Sequence, residues 1–330
     1  MSPHHSVRIG RRRTSSSVAL AVALLAAAGW SVPGGAAGPG RPAQAAPAAA
    51  VTTDPAVLDA LARNETPAVI VRFRGKADLS AAAGIADREA QGEYVHARLT
   101  GFAERVQGNT LQMLRSSHAL NEVNGSLRVL WIANAIAIES LTRAMLVELE
   151  ASPDVERIQL QEIIPYPKAE PDLSLTPGLD AIIGSLTRIK VPDVWALGYK
   201  GAGTVVANID TGVLYEHNAL IGKYRGTLSP GVYDHVYNWF DPYGHSPAPR
   251  VTGDHGSHTM GTMVGDDGAA EQIGVAPDAK WVNCIGFGLS GGAASTAGIL
   301  ACGQWMIAPT DPSGAVATAN PAKRPHVVNN

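Results

Sequence analysis

Two clusters in the C-terminal half of this 330-residue sequence have the residue types and setting for acid–base chemistry. The first is Asp210-Thr-Gly212, which ends the apolar run Thr204-Val-Val-Ala-Asn-Ile209. An acid at the carboxyl end of a buried parallel strand lies where α/β sheets place their sites. Asp-Thr-Gly turns also occur simply to cap a loop. The second cluster is Gly253-Asp-His-Gly-Ser-His-Thr-Met-Gly-Thr-Met263. His255 stands between Gly253 and Gly256 at the mouth of a helix that carries Gly261. Small residues let such a helix approach the sheet closely, so the imidazole could meet both an acid and a nucleophile. Two other readings compete. His255 and His258, three apart beside Asp254, could ligate a metal, but a third clear ligand is lacking and the helical zinc pattern needs four-apart histidines with a Glu. They could also be a structural, hydrogen-bonded pair.

Gly288-Leu-Ser-Gly-Gly292 matches the G-x-S-x-G nucleophile elbow. That elbow belongs to a chain order of Ser, acid, His. Here the acid and His precede the Ser, so the segment reads as a Gly/Ser loop at a strand end. Cys284 on a strand and Cys302 on the following helix could meet across one β-α unit, either as a disulfide or as two buried thiols. Two cysteines exclude a disulfide framework and a four-cysteine zinc site.

The elements that position these residues follow from composition and periodicity. Apolar residues make up 45% and charged residues 17%, which supports packed cores and excludes wholesale disorder. The net charge of −3 hides an asymmetry: residues 1–46 carry Arg8, Arg11, Arg12, Arg13, Arg41 and no acid, leaving 21 basic against 29 acidic residues. That balance excludes a nucleic-acid binder. Arg11-Arg12-Arg13, an uncharged apolar run from Val18 to Ala28 and the small-residue site Ala43-Gln44-Ala45 read as a secretory signal over 1–45, too short to span a bilayer. Membrane contact is expected only through that export signal. Residues 46–66 read as an Ala/Pro-rich linker. Residues 67–168 read as a small α+β domain in the order β-α-β-β-α-β, the split ferredoxin-like arrangement. Its long helix is expected to turn Val95, Leu99, Phe102 and Val106 to one face. Ser140 is expected to cap a second helix with Leu141, Met145 and Leu149 inward. His96 and His118 read as solvated side chains. After a processing linker over 169–184, residues 185–330 read as part of a parallel α/β sheet.

With Ala207-Asn-Ile-Asp-Thr-Gly-Val213 and His255-Gly-Ser-His-Thr-Met-Gly-Thr262 side by side, the chain resembles the subtilisin-like serine proteases. Ile273-Gly-Val-Ala-Pro277, Lys280-Trp-Val-Asn-Cys284 and His326-Val-Val-Asn-Asn330 resemble the bacillopeptidase F branch. The resemblance implies that 185–330 is the N-terminal part of a subtilisin-like catalytic domain, and that 67–168 is similar to the family's inhibitory propeptide. Asp210 is then the triad acid and His255 the general base, while His258 faces the helix packing. Ser290 and Gly291 resemble the edge strand that pairs with an extended substrate backbone. The family's Gly-Thr-Ser-Met-Ala-like nucleophile motif does not occur in 1–330. The expectation is therefore a secreted bacterial precursor, truncated before its serine and inactive as this chain, acting in full form on protein or peptide substrates. Its own propeptide would be an intramolecular inhibitor, released by a cut between Pro167 and Ile182. No metal or cofactor is implied for the chemistry; structural calcium accompanies the family, with no ligand assigned here. The rival reading is a dead fragment acting as a propeptide-type inhibitor, chaperone or binding protein.

Overall fold

In the computed structural model the described residues are 50–122, 125–166, 182, 184–268 and 272–330. The expected signal over 1–45 and residues 167–181 of the expected cleavage segment lie outside them. Residues 48–330 cluster as one body.

The N-terminal region, 50–166, is built from β1 (Thr52–Thr53), α1 (Pro55–Ala62), β2 (Val69–Phe73), α2 (Arg88–His118), β3 (Leu127–Leu130), β4 (Ala135–Ile138), α3 (Arg143–Ala151), β5 (Val155–Leu160) and β6 (Ile163–Ile164). Five strands form one sheet in the order β1-β5-β2-β4-β3. Residues 52–66, expected to be linker, are instead part of this region. Thr52 and Thr53 pair in parallel with Arg157 and Ile158, and Asp54 caps α1 by accepting from Ala56 N at 3.1 Å ahead of Pro55. Val57 and Leu61 of α1 enter the main apolar core, which a solvated linker could not do.

The period-2 pleat of β2 divides its side chains between two interfaces. Val69, Val71 and Phe73 join Leu111 and Leu114 of α2 and Met145 and Leu149 of α3 in that core. Ile70 points the other way, with Leu130, Ala135 and Ala137, and meets Ala297 on a helix of the C-terminal region. Burying a side chain such as Leu114 or Leu149 contributes about 1.5–3 kcal/mol. The inward face of α2 is Ala103, Gln107, Thr110, Leu111 and Leu114, whereas the expected face of Val95, Leu99, Phe102 and Val106 is only half-buried. The C-terminal half of α2 covers the sheet, and its first turns run out to residues 321–324, where Arg88 donates to Arg324 O and Pro325 O at 2.9 and 2.7 Å. Thr142, not Ser140, caps α3, accepting from Met145 N at 3.3 Å, and Leu141, Met145 and Leu149 are buried. Neither histidine is freely solvated. His96 is half-buried, edge-on to Trp131 at 5.2 Å, and His118 bonds Glu148 at 3.1 Å.

The C-terminal region continues with α4 (Gly184–Arg188), α5 (Val191–Ala196), β7 (Val205–Ile209), α6 (Asn218–Ile221), β8 (Thr227–Ser229), β9 (Val232–Tyr233), β10 (Trp239–Phe240), α7 (His255–Val264), β11 (Lys280–Cys284), β12 (Ala294–Ser295), α8 (Thr296–Ile307) and β13 (Val327–Asn329). Its central sheet is parallel, in the order β10-β11-β7-β13. Alternation along β7 and β11 again sorts the side chains. Ala207, Ile209, Val282 and Cys284 face α8 and pack on Cys302, Trp305 and Met306. Val206 and Trp281 face α7 and pack on Met260 and Val264. Cys284 and Cys302, both fully buried, are joined as a disulfide with Cα atoms 5.7 Å apart. Among the described residues no helix is long and apolar enough to cross a membrane.

Candidate active site

Asp210 directly follows β7, and α7 begins at His255 beside it. Two glycines allow the approach. A Cβ on Gly256 would stand 2.1 Å from Gly212 O and 3.2 Å from the Asp210 Cβ. Gly212 itself has φ +89°, and a Cβ there would stand 2.1 Å from Arg250 O. Gly253 only touches Thr211 at ordinary contact distance, and Gly261 packs on Ile273 rather than on the sheet.

The Asp210 carboxylate is almost fully buried, with its side chain 5% exposed against 38% for His255. Its Oδ1 accepts from Thr211 N at 2.7 Å, and its Oδ2 accepts from Thr259 Oγ1 at 3.0 Å. His255 Nδ1 lies 2.8 Å from Oδ1 and 3.0 Å from Oδ2. A carboxylate accepts and cannot donate, so this contact places a ring proton on Nδ1; in the neutral ring the lone pair is then on Nε2, the tautomer of a general base. Thr211 extends the cradle, accepting from Gly256 N at 3.0 Å and donating to Gly253 O at 3.2 Å. Among the described residues no serine hydroxyl bonds the His255 ring. His258 is exposed on the outer face of α7 rather than packed, and no group of three His, Cys, Asp or Glu converges among the described residues.

The end of the N-terminal region reaches this site. Ile163 and Ile164 pair antiparallel with Ser295 and Ala294, and Thr296 N donates to Glu162 O at 3.0 Å. Two residues on, Tyr166 lies edge-on to the His255 ring at 5.1 Å and to Phe287 at 5.4 Å. Burial, then the charges of Asp210 and Asp254, hold the Tyr166 phenol above its usual range. The antiparallel edge is therefore Ala294–Ser295. Ser290 and Gly291, expected to form it, stand exposed in a 3-10 turn, Ser290–Gly292, with Gly291 at φ +74°. Tight turning there removes the extended backbone that strand pairing needs.

Tyr243 supports that edge. Its hydroxyl donates to Gly286 O at 2.6 Å and accepts from Ser295 N at 3.1 Å. The ring lies so close to Gly288 and Gly298 that a Cβ on either would stand within 2.6 Å of it. Asp241 and Arg250 pair at 2.7 Å beneath it. Burial pushes the Asp241 carboxyl up, but the Arg250 bond and the Tyr243 and Gly244 amides outweigh this and hold it below the usual range.

Tyr166 and Tyr243 belong to none of the sequence motifs given above, and Thr259 lies within the His255 cluster with no role assigned to it there. Thr259 carried a usable signal, since four residues past His255 is the same helical face one turn on.

Residues 201–330 match the Peptidase S8 model, described as the subtilase family. Residues 201–330 belong to the subtilase family. Asp210 and His255 both fall inside this subtilase domain. The chain is 31% identical over 293 residues to Bacillopeptidase F of Bacillus subtilis, covering 81% of this chain and 20% of that protein. It is 40% identical over 115 residues to the minor extracellular protease Vpr of the same organism, covering 33% of this chain and 13% of Vpr. The chain thus spans about a fifth or less of the length of these relatives. The crystal structure of fervidolysin from Fervidobacterium pennivorans, a keratinolytic enzyme related to subtilisin, aligns with a TM-score of 0.40 at 16% identity, over 77% of this chain and 35% of that one. Such a score carries no argument on its own.

Proposed function

We propose that this chain belongs to the precursor of a secreted serine endopeptidase. Asp210 and His255 are two members of its Asp-His-Ser triad, and the serine comes from outside residues 1–330. The observation that carries this reading is the His255 Nδ1 to Asp210 bond at 2.8 Å, which leaves Nε2 as a base toward a hydroxyl nucleophile. When His255 takes the serine proton, the buried carboxylate stabilises the imidazolium, and the Thr211 and Gly256 bonds keep both groups in place. In this reading the triad works without a metal or cofactor.

The N-terminal region is read as a ferredoxin-like inhibitory propeptide. Four of its strands, in the sheet order β5-β2-β4-β3, and two of its helices, α2 and α3, follow that arrangement. Ile163–Ile164 adds a strand to β12 as an extended peptide substrate would, and Tyr166 covers the His255 ring. Peptide substrates would take the same rung once the segment is cut between Pro167 and Ile182. Export is supported by the basic and apolar N-terminal sequence, by the Cys284–Cys302 bond and by the extracellular relative.

The test uses the full-length protein. His255→Ala is expected to lower casein hydrolysis by about 10⁶-fold and Asp210→Asn by about 10⁴-fold, and each to stop self-processing. Processing at the normal rate in His255→Ala would overturn the assignment and favour a non-catalytic binding role.

A further inference from the structure

The subtilase pair is served by a set of buried groups that no part of the triad requires. Asp210 shares its carboxylate among three donors, the Thr211 amide, His255 Nδ1–H and the Thr259 hydroxyl. A threonine inside a helix commonly turns its hydroxyl back onto a carbonyl of the preceding turn. Gly256 O is available for that at 3.2 Å from Thr259 Oγ1. Asn208 competes with this arrangement. Its Nδ2 donates one hydrogen to Gly256 O at 3.0 Å and the other to Thr259 Oγ1 at 3.1 Å. The hydroxyl has one proton for two acceptors, and the carboxylate oxygen Asp210 Oδ2, nearer at 3.0 Å and the stronger acceptor, takes it in preference to Gly256 O.

Asn283 stands behind Asn208, directly opposite it across the β7–β11 ladder. Its Nδ2 donates to Asn208 Oδ1 at 2.6 Å and to Asn208 O at 3.2 Å. Gly256 O and Asn208 O can only accept, so the orientation of both amides is fixed by their partners. One hydrogen from each of Asn283, Asn208 and Thr259 therefore runs along the series toward the carboxylate, and such head-to-tail bonds reinforce one another. The arrangement has a cost. Both asparagines are fully buried beside apolar Val206 and Trp281, and Asn283 Oδ1 has no hydrogen-bond partner among the described residues. An orphan buried acceptor destabilises a fold, so its presence at this spot calls for a functional account.

We propose that Asn283, Asn208 and Thr259 form an oriented hydrogen-bond series that holds the Asp210 carboxylate square to His255, with Thr259 as a positioning residue of the peptidase. The catalytic part of this statement rests on the function proposed above. The geometric part does not.

Thr259→Val removes the hydroxyl at nearly constant volume, and Thr259→Ser keeps it. In the 330-residue chain labelled with ¹⁵N-histidine, the His255 Nδ1 proton is identified by its loss in His255→Gln. Its exchange with water is expected to quicken by about tenfold in Thr259→Val and to stay at the wild-type rate in Thr259→Ser, the loss of one hydrogen bond being about that large. In the full-length protein the same Val variant should lower kcat about tenfold at constant KM, with Ser restoring it. A Thr259→Val proton that exchanges at the wild-type rate overturns the proposal, as does a kcat loss that Ser fails to restore. If Val does not fold, Thr259→Ala carries the same readings. Quickened exchange together with full casein hydrolysis in His255→Ala would leave the positioning series standing while removing the catalytic reading.

Discussion

The N-terminal and C-terminal regions bury different kinds of residue. In the first, buried polar side chains among the described residues are Gln107, Thr110 and Asn134, set around a large apolar cluster from Val57 to Ile158. In the second they are Asn208, Asp210, Thr211, Asn238, Asp241, Asn283, Ser295 and Thr310, strung along the sheet and its ends. The first interior is held by volume and area, which respond gradually to substitution. The second is held by directed bonds, each of which is either made or lost at a cost.

That contrast can be broken in three ways. The largest effect is expected from Leu114→Ala, which opens a cavity in the apolar cluster and should cost about 2–5 kcal/mol in urea unfolding. Amide exchange should quicken in β2 and β5 but not around Asp210. A loss well below 1 kcal/mol would mean that packing does not hold this region. An intermediate effect is expected from Tyr243→Phe, which changes almost no volume yet removes the bonds to Gly286 O and Ser295 N. About 1–2 kcal/mol should be lost, with faster exchange at the Ser295 amide. An unchanged melting temperature and an unchanged Ser295 amide would remove directed bonds as the distinguishing feature of the second region. The smallest effect concerns acid. Burial pushes the His96 imidazole below its usual range, while the unfolded chain takes its proton near pH 6.5. The unfolded state therefore binds more protons below that pH, so this contribution to stability is present above about pH 6.5 and lost as pH falls. His96→Leu should flatten the fall in melting temperature between about pH 6.5 and 5. The slope should persist in part, because burial also lowers His235 and His245 in the second region. An unaltered slope in His96→Leu would assign the whole acid response to the second region.

The same contrast explains what could be read in the sequence. Period-2 and helical patterns gave β2 to β5 and the helices α2 and α3 because local spacing decides which side faces a core. Spacing could not say that α2 would seat Ala103, Gln107, Thr110, Leu111 and Leu114, since that choice depends on where the sheet lies. The order of the 52–66 segment is not legible in its own composition, because it comes from pairing Thr52–Thr53 with residues about a hundred positions away. Asp210 and His255 were legible as motifs flanked by glycines. Asn208 is a polar residue inside an apolar strand, two residues before Asp210 and on the same face. Its use became visible only once β11 brought Asn283 across from it. Tyr166 carried no signal, since its partners His255 and Phe287 are remote in sequence.

The Cys284–Cys302 bond has a consequence for chain topology. It closes a hoop over a sequence separation of 18 that contains the whole rung Ala294–Ser295 and the turn before it. Cys284 is also the ladder partner of Ile209, the residue before Asp210. The peptide-pairing edge is thus hooped covalently to the strand beside the acid. A closure of this size removes about 3 kcal/mol of freedom from the unfolded chain. Loss of the bond would return that freedom to the unfolded chain and leave the edge joined to the acid's strand through the backbone alone.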